Sequence, residues 1–276
     1  MQSVKKVLPS PLRSRLRAVI NFFEYDLVDF FVNRDLPPRR IRYMIGPFDK
    51  ASYYRQVQKE SLGYFIEFGG LKPEARVLDV GCGCGMMAQA LTKYLSTGSY
   101  EGLDIVPILI DWCRKTISRK YLNFHFELAD VFNEYYNPRG RFASSKYVFP
   151  YGDGSFDFVF GKSLFTHMLP LDVENYIANV ARVLKKDGSC FFTFFLLNDE
   201  SLALMKNGKS DWNFKYDFGE YRTATVKVVE AAVSYKEDFL LSLYKEYGLS
   251  IKSIRYGSWC GRPNFLTYQD IIVATK

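Results

Sequence analysis

The chain reads as an α/β fold of seven strands, mostly parallel with the last antiparallel, and helices on both faces of the sheet. Three observations predict it. Strand-like and helix-like segments alternate from residue 69 onward, the order that a parallel sheet requires. Residues 190–197, Cys-Phe-Phe-Thr-Phe-Phe-Leu-Leu, are continuously apolar, as in a strand buried on both faces. Two closing patterns, 250–256 and 268–274, are joined by a loop and read as an antiparallel pair.

Residues 1–12 read as disordered, because Pro9 and Pro11 break any early helix. Over 13–33, Leu16, Ile20, Phe23, Leu27, Phe30 and Phe31 recur at helical spacing. That amphipathic face suits a cap over the core, or weak contact with a membrane surface. Pro37-Pro38 ends the segment, and a helix over 52–68 leads through Gly69-Gly70 to the first strand. The expected division is an N-terminal helical cap, 1–68, and a core, 69–276.

Val77, Leu78 and Val80 mark the first strand, and a helix pattern follows over 86–95. The second strand, 99–105, ends on an acid, and Pro107 starts a helix carrying Ile110, Trp112, Cys113 and Ile117. Residues 123–130 alternate as a third strand, and the fourth, 156–160, follows an Asp153-Gly154 turn. Asp172 is expected to cap a helix reaching Leu184, and 236–247 reads as a helix ending at Gly248. Two stretches, 133–152 and 198–235, fit no regular element and are candidate substrate loops or a lid.

The chain is organised around 76–85, Arg-Val-Leu-Asp-Val-Gly-Cys-Gly-Cys-Gly. A strand, a glycine turn and a helix in that order make a nucleotide site, with helix N–H groups facing the ligand. A dinucleotide fingerprint, G-x-G-x-x-G/A, needs a small third residue for close helix packing. Gly81 and Gly83 fit it, but Met86 occupies the third position. Asp104 lies 19 residues beyond Gly85, where a βαβ unit places a carboxylate over ribose hydroxyls. Asp104 therefore supports a ribose without naming the cofactor.

The spacing present, Asp79-x-Gly81-x-Gly83-x-Gly85, resembles motif I of the class I S-adenosylmethionine (SAM)-dependent methyltransferases, a Rossmann-like family. The likeness extends over 70–276. Four stretches, 69–88, 100–113, 165–176 and 256–274, resemble a bacterial type-11/12-like group whose members tailor small molecules and natural products. Cys84 and Met86-Met87 depart from that group's usual turn, and Lys162 sits where the group varies. The resemblance implies SAM as cofactor, S-adenosylhomocysteine as product, and no metal. It places Asp79, Gly81, Gly83, Gly85, Asp104, Ile105, Asp130, Val131, Gly161 and Lys162 around the cofactor, with Asp130 accepting from the adenine amino group.

Ligand chemistry in an open parallel sheet sits outside the carboxyl ends of the strands. Residues 161–168, after the fourth strand, are therefore placed where the methyl group is handed over. If the acceptor is a hydroxyl, a base of near-neutral pKa helps its proton to leave. Of the two histidines, His167 stands at that strand end and is the candidate base, with a helix-capping role as the alternative; Glu127 is less aptly placed. His125, mid-strand, reads as structural. The sequence Gly161-Lys162-Ser163-Leu164 lacks the Pro-Pro-aromatic loop of nucleic-acid base methyltransferases, so no nucleic-acid partner is expected. Remaining alternatives are N- or C-methylation, an NAD(P)-dependent oxidoreductase, and a SAM-binding protein without catalysis.

Composition bounds these readings. The chain has 276 residues, 48% hydrophobic and 17% aromatic, enough for one large domain with a cap. Residues 1–60 hold 12 Lys and Arg against 6 Asp and Glu, so 6 of the 7 net positive charges lie there, on a solvated face or facing an acidic partner. The five cysteines show no framework spacing and read as thiols of a reducing cytoplasm, with zinc at Cys82 and Cys84 disfavoured. No stretch approaches the roughly 20 apolar residues of a membrane span. Acceptor identity and oligomeric state are not legible.

Overall fold

The computed structural model describes residues 27–134 and 136–276. The helix expected over 13–33 lies outside the described residues, except for its end at α1 (Val28–Val32). A second short helix, α2 (Arg39–Tyr43), follows the two prolines. The buried guanidinium of Arg42 joins this segment together, donating to the Asp29 carboxylate and to the carbonyls of Pro37, Phe48 and Asp49. Helix α3 (Ala51–Glu67) comes next. The chain divides into two compact units, one ending at Gln58 and one starting at Lys59. The division falls within α3.

The second unit is built on a seven-stranded sheet in the order β10-β11-β5-β4-β1-β2-β3. Its strands are β1 (Arg76–Val80), β2 (Ser99–Asp104), β3 (Phe124–Leu128), β4 (Phe156–Gly161), β5 (Leu184–Phe194), β10 (Ser250–Arg255) and β11 (Asp270–Thr275). β11 alone runs against the rest, pairing antiparallel with both β5 and β10. The sequence from β1 steps to β2 on one side, and β4 pairs on the other. That reversal at the carboxyl end of β1 opens the crevice where ligands sit in such sheets.

Aromatic rings clamp the sheet on both faces. The Phe65 ring of α3 packs 4.5 Å from Phe160, 4.9 Å from Phe191 and 5.5 Å from Phe158. On the opposite face, Phe165 lies 4.8 Å from Phe192 and 5.1 Å from Phe194. Truncating such a buried ring to alanine costs about 3–5 kcal/mol. The helices α4 (Met86–Leu91), α5 (Pro107–Cys113) and α6 (Pro170–Val183) link the first five strands. Helix α4 is shorter than the pattern over 86–95 suggested. Asp172 is not the N-cap of α6. It stands in the first turn, and its carboxylate accepts the Leu169 N–H at 3.3 Å.

The largest departure lies beyond Phe194. The apolar run does not continue as one strand; Leu196 and Leu197 leave the main sheet as β6 (Leu196–Leu197). The stretch 198–235 is not irregular. It contains α7 (Asp199–Lys206), β7 (Tyr216–Asp217), β8 (Tyr221–Thr223) and β9 (Val233–Lys236). These form a second sheet, β6-β9-β8-β7, over its own core of Phe195, Leu197, Phe214, Ala232 and Trp259. Helix α8 (Glu237–Glu246) then returns the chain to β10. The insertion 133–152 is also partly scaffold. Asn175 and Asn179 of α6 donate to the carbonyls of Ser144 and Tyr147, and the Phe149 N–H donates to Asn179.

Candidate cofactor and acceptor site

The glycine turn after β1 is a cradle that side chains would fill. Gly81, Gly83 and Gly85 have φ of 80°, 54° and 75°, in the left-handed region that favours glycine. A Cβ on Gly85 would stand 2.6 Å from Ile117 Cδ1 and 3.0 Å from Cys113 Sγ. The donors of this turn are already committed. Gly81 N and Cys82 N both donate to the Leu103 carbonyl, Gly85 N to the Cys82 carbonyl, and Gly83 N to Asp104 Oδ2 at 2.7 Å. These four N–H groups precede the helix, whose own first N–H groups are those expected to face a ligand. A turn whose donors are used internally makes a poor pyrophosphate nest, which disfavours a dinucleotide and suits a nucleoside without phosphates.

Asp104 is buried at the end of β2 and holds the turn. Its second oxygen accepts the Val106 N–H at 2.9 Å. Burial raises its pKa, while these backbone N–H groups oppose the rise. A carboxylate has about four lone-pair sites, and the N–H groups of Gly83, Val106 and Ile105 take up to three of them. Ile105 beside it is half-buried. Asp79, inside β1, accepts the Tyr100 hydroxyl at 2.6 Å. Its burial pushes the carboxyl up to about 8, with Tyr100 opposing and Asp104 assisting. The ring of Tyr100 is itself stacked on Phe124 at 5.2 Å.

At the far side of the crevice Asp130 is paired with the insertion. Its carboxylate accepts from the Arg141 side chain and, at 3.1 Å, from the Arg141 N–H, which hold its pKa below the usual range. The adenine contact that the resemblance implies therefore shares this carboxylate with Arg141. Val131 is buried and bridges to Phe142, with its carbonyl accepting from Asn137 Nδ2 at 3.0 Å.

β4 ends at Gly161, where a Cβ would meet Phe192 Cε1 at 2.8 Å and the Val80 carbonyl at 2.9 Å. Lys162 follows, its Nζ 2.5 Å from Ser61 Oγ on α3. Burial lowers its pKa to about 8 against the pull of Asp79 and Glu60. Ser163 is held at φ 54°, strained for a residue with a side chain. Thr193 Oγ1 accepts its N–H at 2.7 Å, and Gln269 bonds its hydroxyl at 2.9 Å.

His167 sits in the single turn that follows, and Nδ1 lies 3.0 Å from the Glu230 carbonyl. A carbonyl only accepts, so Nδ1 carries the proton and Nε2 the lone pair. Burial lowers the His167 pKa, and the carbonyls of Glu230 and Ala231 oppose the shift. The ring packs edge-on against Tyr136 at 5.7 Å. Asn133 Nδ2 donates to Glu230 Oε2 at 2.7 Å, and the Tyr235 hydroxyl donates to the Met168 carbonyl. The insertion and the strand-four turn thus meet the second sheet around His167. Glu127 pairs with Arg114 instead and lies on β3.

The structure therefore groups Asp79, the three glycines, Asp104 and Lys162 around one turn, and places His167 in a second cluster. Sequence reasoning missed Ser61, Tyr100, Asn133, Tyr136 and Glu230. Tyr100 had a signal, as an inward aromatic one strand from Asp79; the others come from distant or irregular segments. Among the described residues, no group of three or more His, Cys, Asp or Glu could hold a metal ion. None of the five cysteines, all buried, is in a disulfide. No described helix is long and apolar enough to cross a membrane.

Comparison with known proteins agrees with this geometry. Residues 77–188 match the protein family described as a methyltransferase domain. Malonyl-[acyl-carrier protein] O-methyltransferase 1 of Ilyobacter polytropus is 30% identical over 122 residues, 43% of this chain and 42% of that protein. Cyclopropane-fatty-acyl-phospholipid synthase of Escherichia coli is 24% identical over 238 residues, 86% of this chain and 55% of that protein. The chain spans about half the length of these curated relatives. Two solved SAM-dependent methyltransferases share the fold. One, from Leishmania major, has TM-score 0.56 and 13% identity, covering 87% of this chain and 78% of its own. The other, from Methanosarcina mazei, has TM-score 0.53 and 20% identity, covering 76% and 96%.

Residues 77–188 are thus similar to methyltransferase domains, and the fold is the Rossmann-like one of the solved SAM-dependent methyltransferases.

Proposed function

We propose that this chain transfers the methyl group of SAM to a hydroxyl of a small-molecule acceptor, with His167 as general base and S-adenosylhomocysteine as product. The observation that carries the reading is the Nδ1 bond to the Glu230 carbonyl, which turns a neutral Nε2 lone pair toward proton uptake. Bound SAM supplies a methyl group already activated on a sulfonium, so the protein's work is to position the acceptor and exclude water. Gly81, Gly83 and Gly85 would receive the nucleoside, with Asp104 and Ile105 at the ribose. Asp130 and Val131 would edge the adenine, and Asp79, Gly161 and Lys162 the amino-acid end. Tyr136, Asn133 and Glu230 would wall the acceptor side. A cytoplasmic tailoring enzyme acting on a sugar, polyketide or similar product fits this reading.

Replacing His167 tests it. His167→Ala is expected to lower turnover about 10²–10⁴-fold, with affinity for S-adenosylhomocysteine unchanged. Because the His167 pKa is lowered, the base stays unprotonated as pH falls below its ordinary value of about 6.5. The acid limb of kcat/KM should therefore lie below that value in the native protein and vanish in the variant. Unchanged turnover would move the reading to N- or C-methylation, where the acceptor needs no such base.

A further inference from the structure

We propose that residues 31–53 form a docking surface for an anionic lipid bilayer, made of exposed apolar side chains and of cations without a carboxylate partner. The proposal is independent of the methyl-transfer reading. Residues 27–58 hold six basic side chains, Arg34, Arg39, Arg40, Arg42, Lys50 and Arg55, against three acids, Asp29, Asp35 and Asp49. Each acid is already engaged: Asp29 by the buried Arg42 at 3.0 Å, Asp35 by Arg55 at 2.6 Å and Asp49 by Arg39 at 3.8 Å. Arg34, Arg40 and Lys50 are exposed, and none of them pairs with a carboxylate among the described residues.

Each of these three cations lies three residues from an exposed ring. Arg34 follows Phe31, and its guanidinium stands over that ring, 5.2 Å from the centroid. Arg40 and Tyr43 are one turn apart on α2 and Met44 continues their face, while Ile41 and Arg42 between them are buried. Lys50 precedes Tyr53, whose ring stacks on Phe48 at 5.5 Å. Aliphatic side chains adjoin two of the rings: Val32, 72% exposed, follows Phe31, and the exposed Met44 follows Tyr43. This composition selects the partner. Rings and cations alone would suit a single-stranded nucleic acid, whose bases stack on the rings. Val32 and Met44 offer no ring to stack and no hydrogen-bond donor, and gain only from an apolar environment. A bilayer surface takes all three kinds of side chain: rings at the headgroup boundary, aliphatic groups below it, and cations among anionic headgroups.

The experiment is flotation of the full chain with vesicles of phosphatidylcholine, and with vesicles in which a third of the lipid is phosphatidylglycerol. The native protein is expected to float with the anionic vesicles and not with the neutral ones. Replacing Arg34, Arg40 and Lys50 together by Gln should lower partitioning about 100-fold, the combined effect of three cations near an anionic surface. Val32→Ser with Met44→Ser keeps every charge and should lower it about 10-fold. Equal flotation of the native chain with both vesicles, no flotation with either, or a triple variant that floats like the native chain would overturn the proposal. Undiminished flotation of the Val32 and Met44 variant would overturn it as well, because electrostatic attraction alone would then hold any polyanion. Single-stranded oligodeoxythymidine that displaces the native chain from the anionic vesicles would assign the surface to nucleic acid instead.

Discussion

In the large sheet, the turn after β1 is fixed by bonds to its nearest neighbours: backbone groups of Gly81, Cys82 and Gly83 bond to Leu103 and Asp104, at the end of the adjoining strand. The start of the small sheet is tied to the large one by a single buried carboxylate, that of Asp270 at the start of β11. Asp270 accepts from Leu196 N, Gly257 N, Trp259 Nε1 and Arg262 Nη1, at 2.6 to 2.9 Å. Arg262 continues the network to Glu200 and Asn198 on the other side, and lies over the Tyr256 ring at 4.6 Å. Burial raises Asp270 to about 6, and its hydrogen bonds and Arg262 work against that rise. The first region is mainly a backbone device, with the Asp104 carboxylate as its one side-chain acceptor. The second concentrates its integrity in one ion pair. Yet the link between β8 and β9 supplies the carbonyl that fixes the His167 tautomer.

Asp270→Ala should break the small sheet most severely. It leaves Arg262 and the Trp259 N–H without their acceptor, a loss of about 3–5 kcal/mol in denaturant unfolding. If Asp270 merely fills space, the loss will stay near 1 kcal/mol. Gly85→Ala probes the other region. A left-handed φ and a clash with Ile117 and Cys113 predict about 1–3 kcal/mol, together with weaker binding of S-adenosylhomocysteine. Because the Ile117 contact is a flexible methyl, the lower half of that range is expected. Asn133→Ala should have the smallest effect, about 1 kcal/mol or less from the lost bond to Glu230. Its expected readout is a higher KM for the acceptor with unchanged cofactor affinity. A fall in cofactor affinity would show that the two regions are coupled more tightly than their bonding suggests.

The two regions also differ in how legible they were. The strand, glycine turn and helix around Asp79 and Gly85 lie within a few residues, so spacing alone located them. Asp104 was legible because the βαβ crossover sets its distance. Lys162 was placed by strand order, but its bond to Ser61 spans 101 residues of chain and carries no local pattern. The stretch 198–235 read as irregular because its strands are two to four residues long, too short for alternation to register. Phe195 breaks the apolar run without any change of composition, since it too is buried, in the second core. Asp130 was placed at the right strand end, but nothing local indicated that Arg141 would hold its carboxylate.

By itself the sequence determined the alternation of elements, the single antiparallel strand and the glycine cradle, because each depends on periodicity or on backbone freedom over short spans. Only the tertiary structure decided that the turn's donors are internally used, that Asp270 pins a second sheet, and that His167 carries its proton on Nδ1. Those properties arise where groups distant in the chain are desolvated together, and the energy of a buried charge or an N–H depends on the partners that the fold delivers.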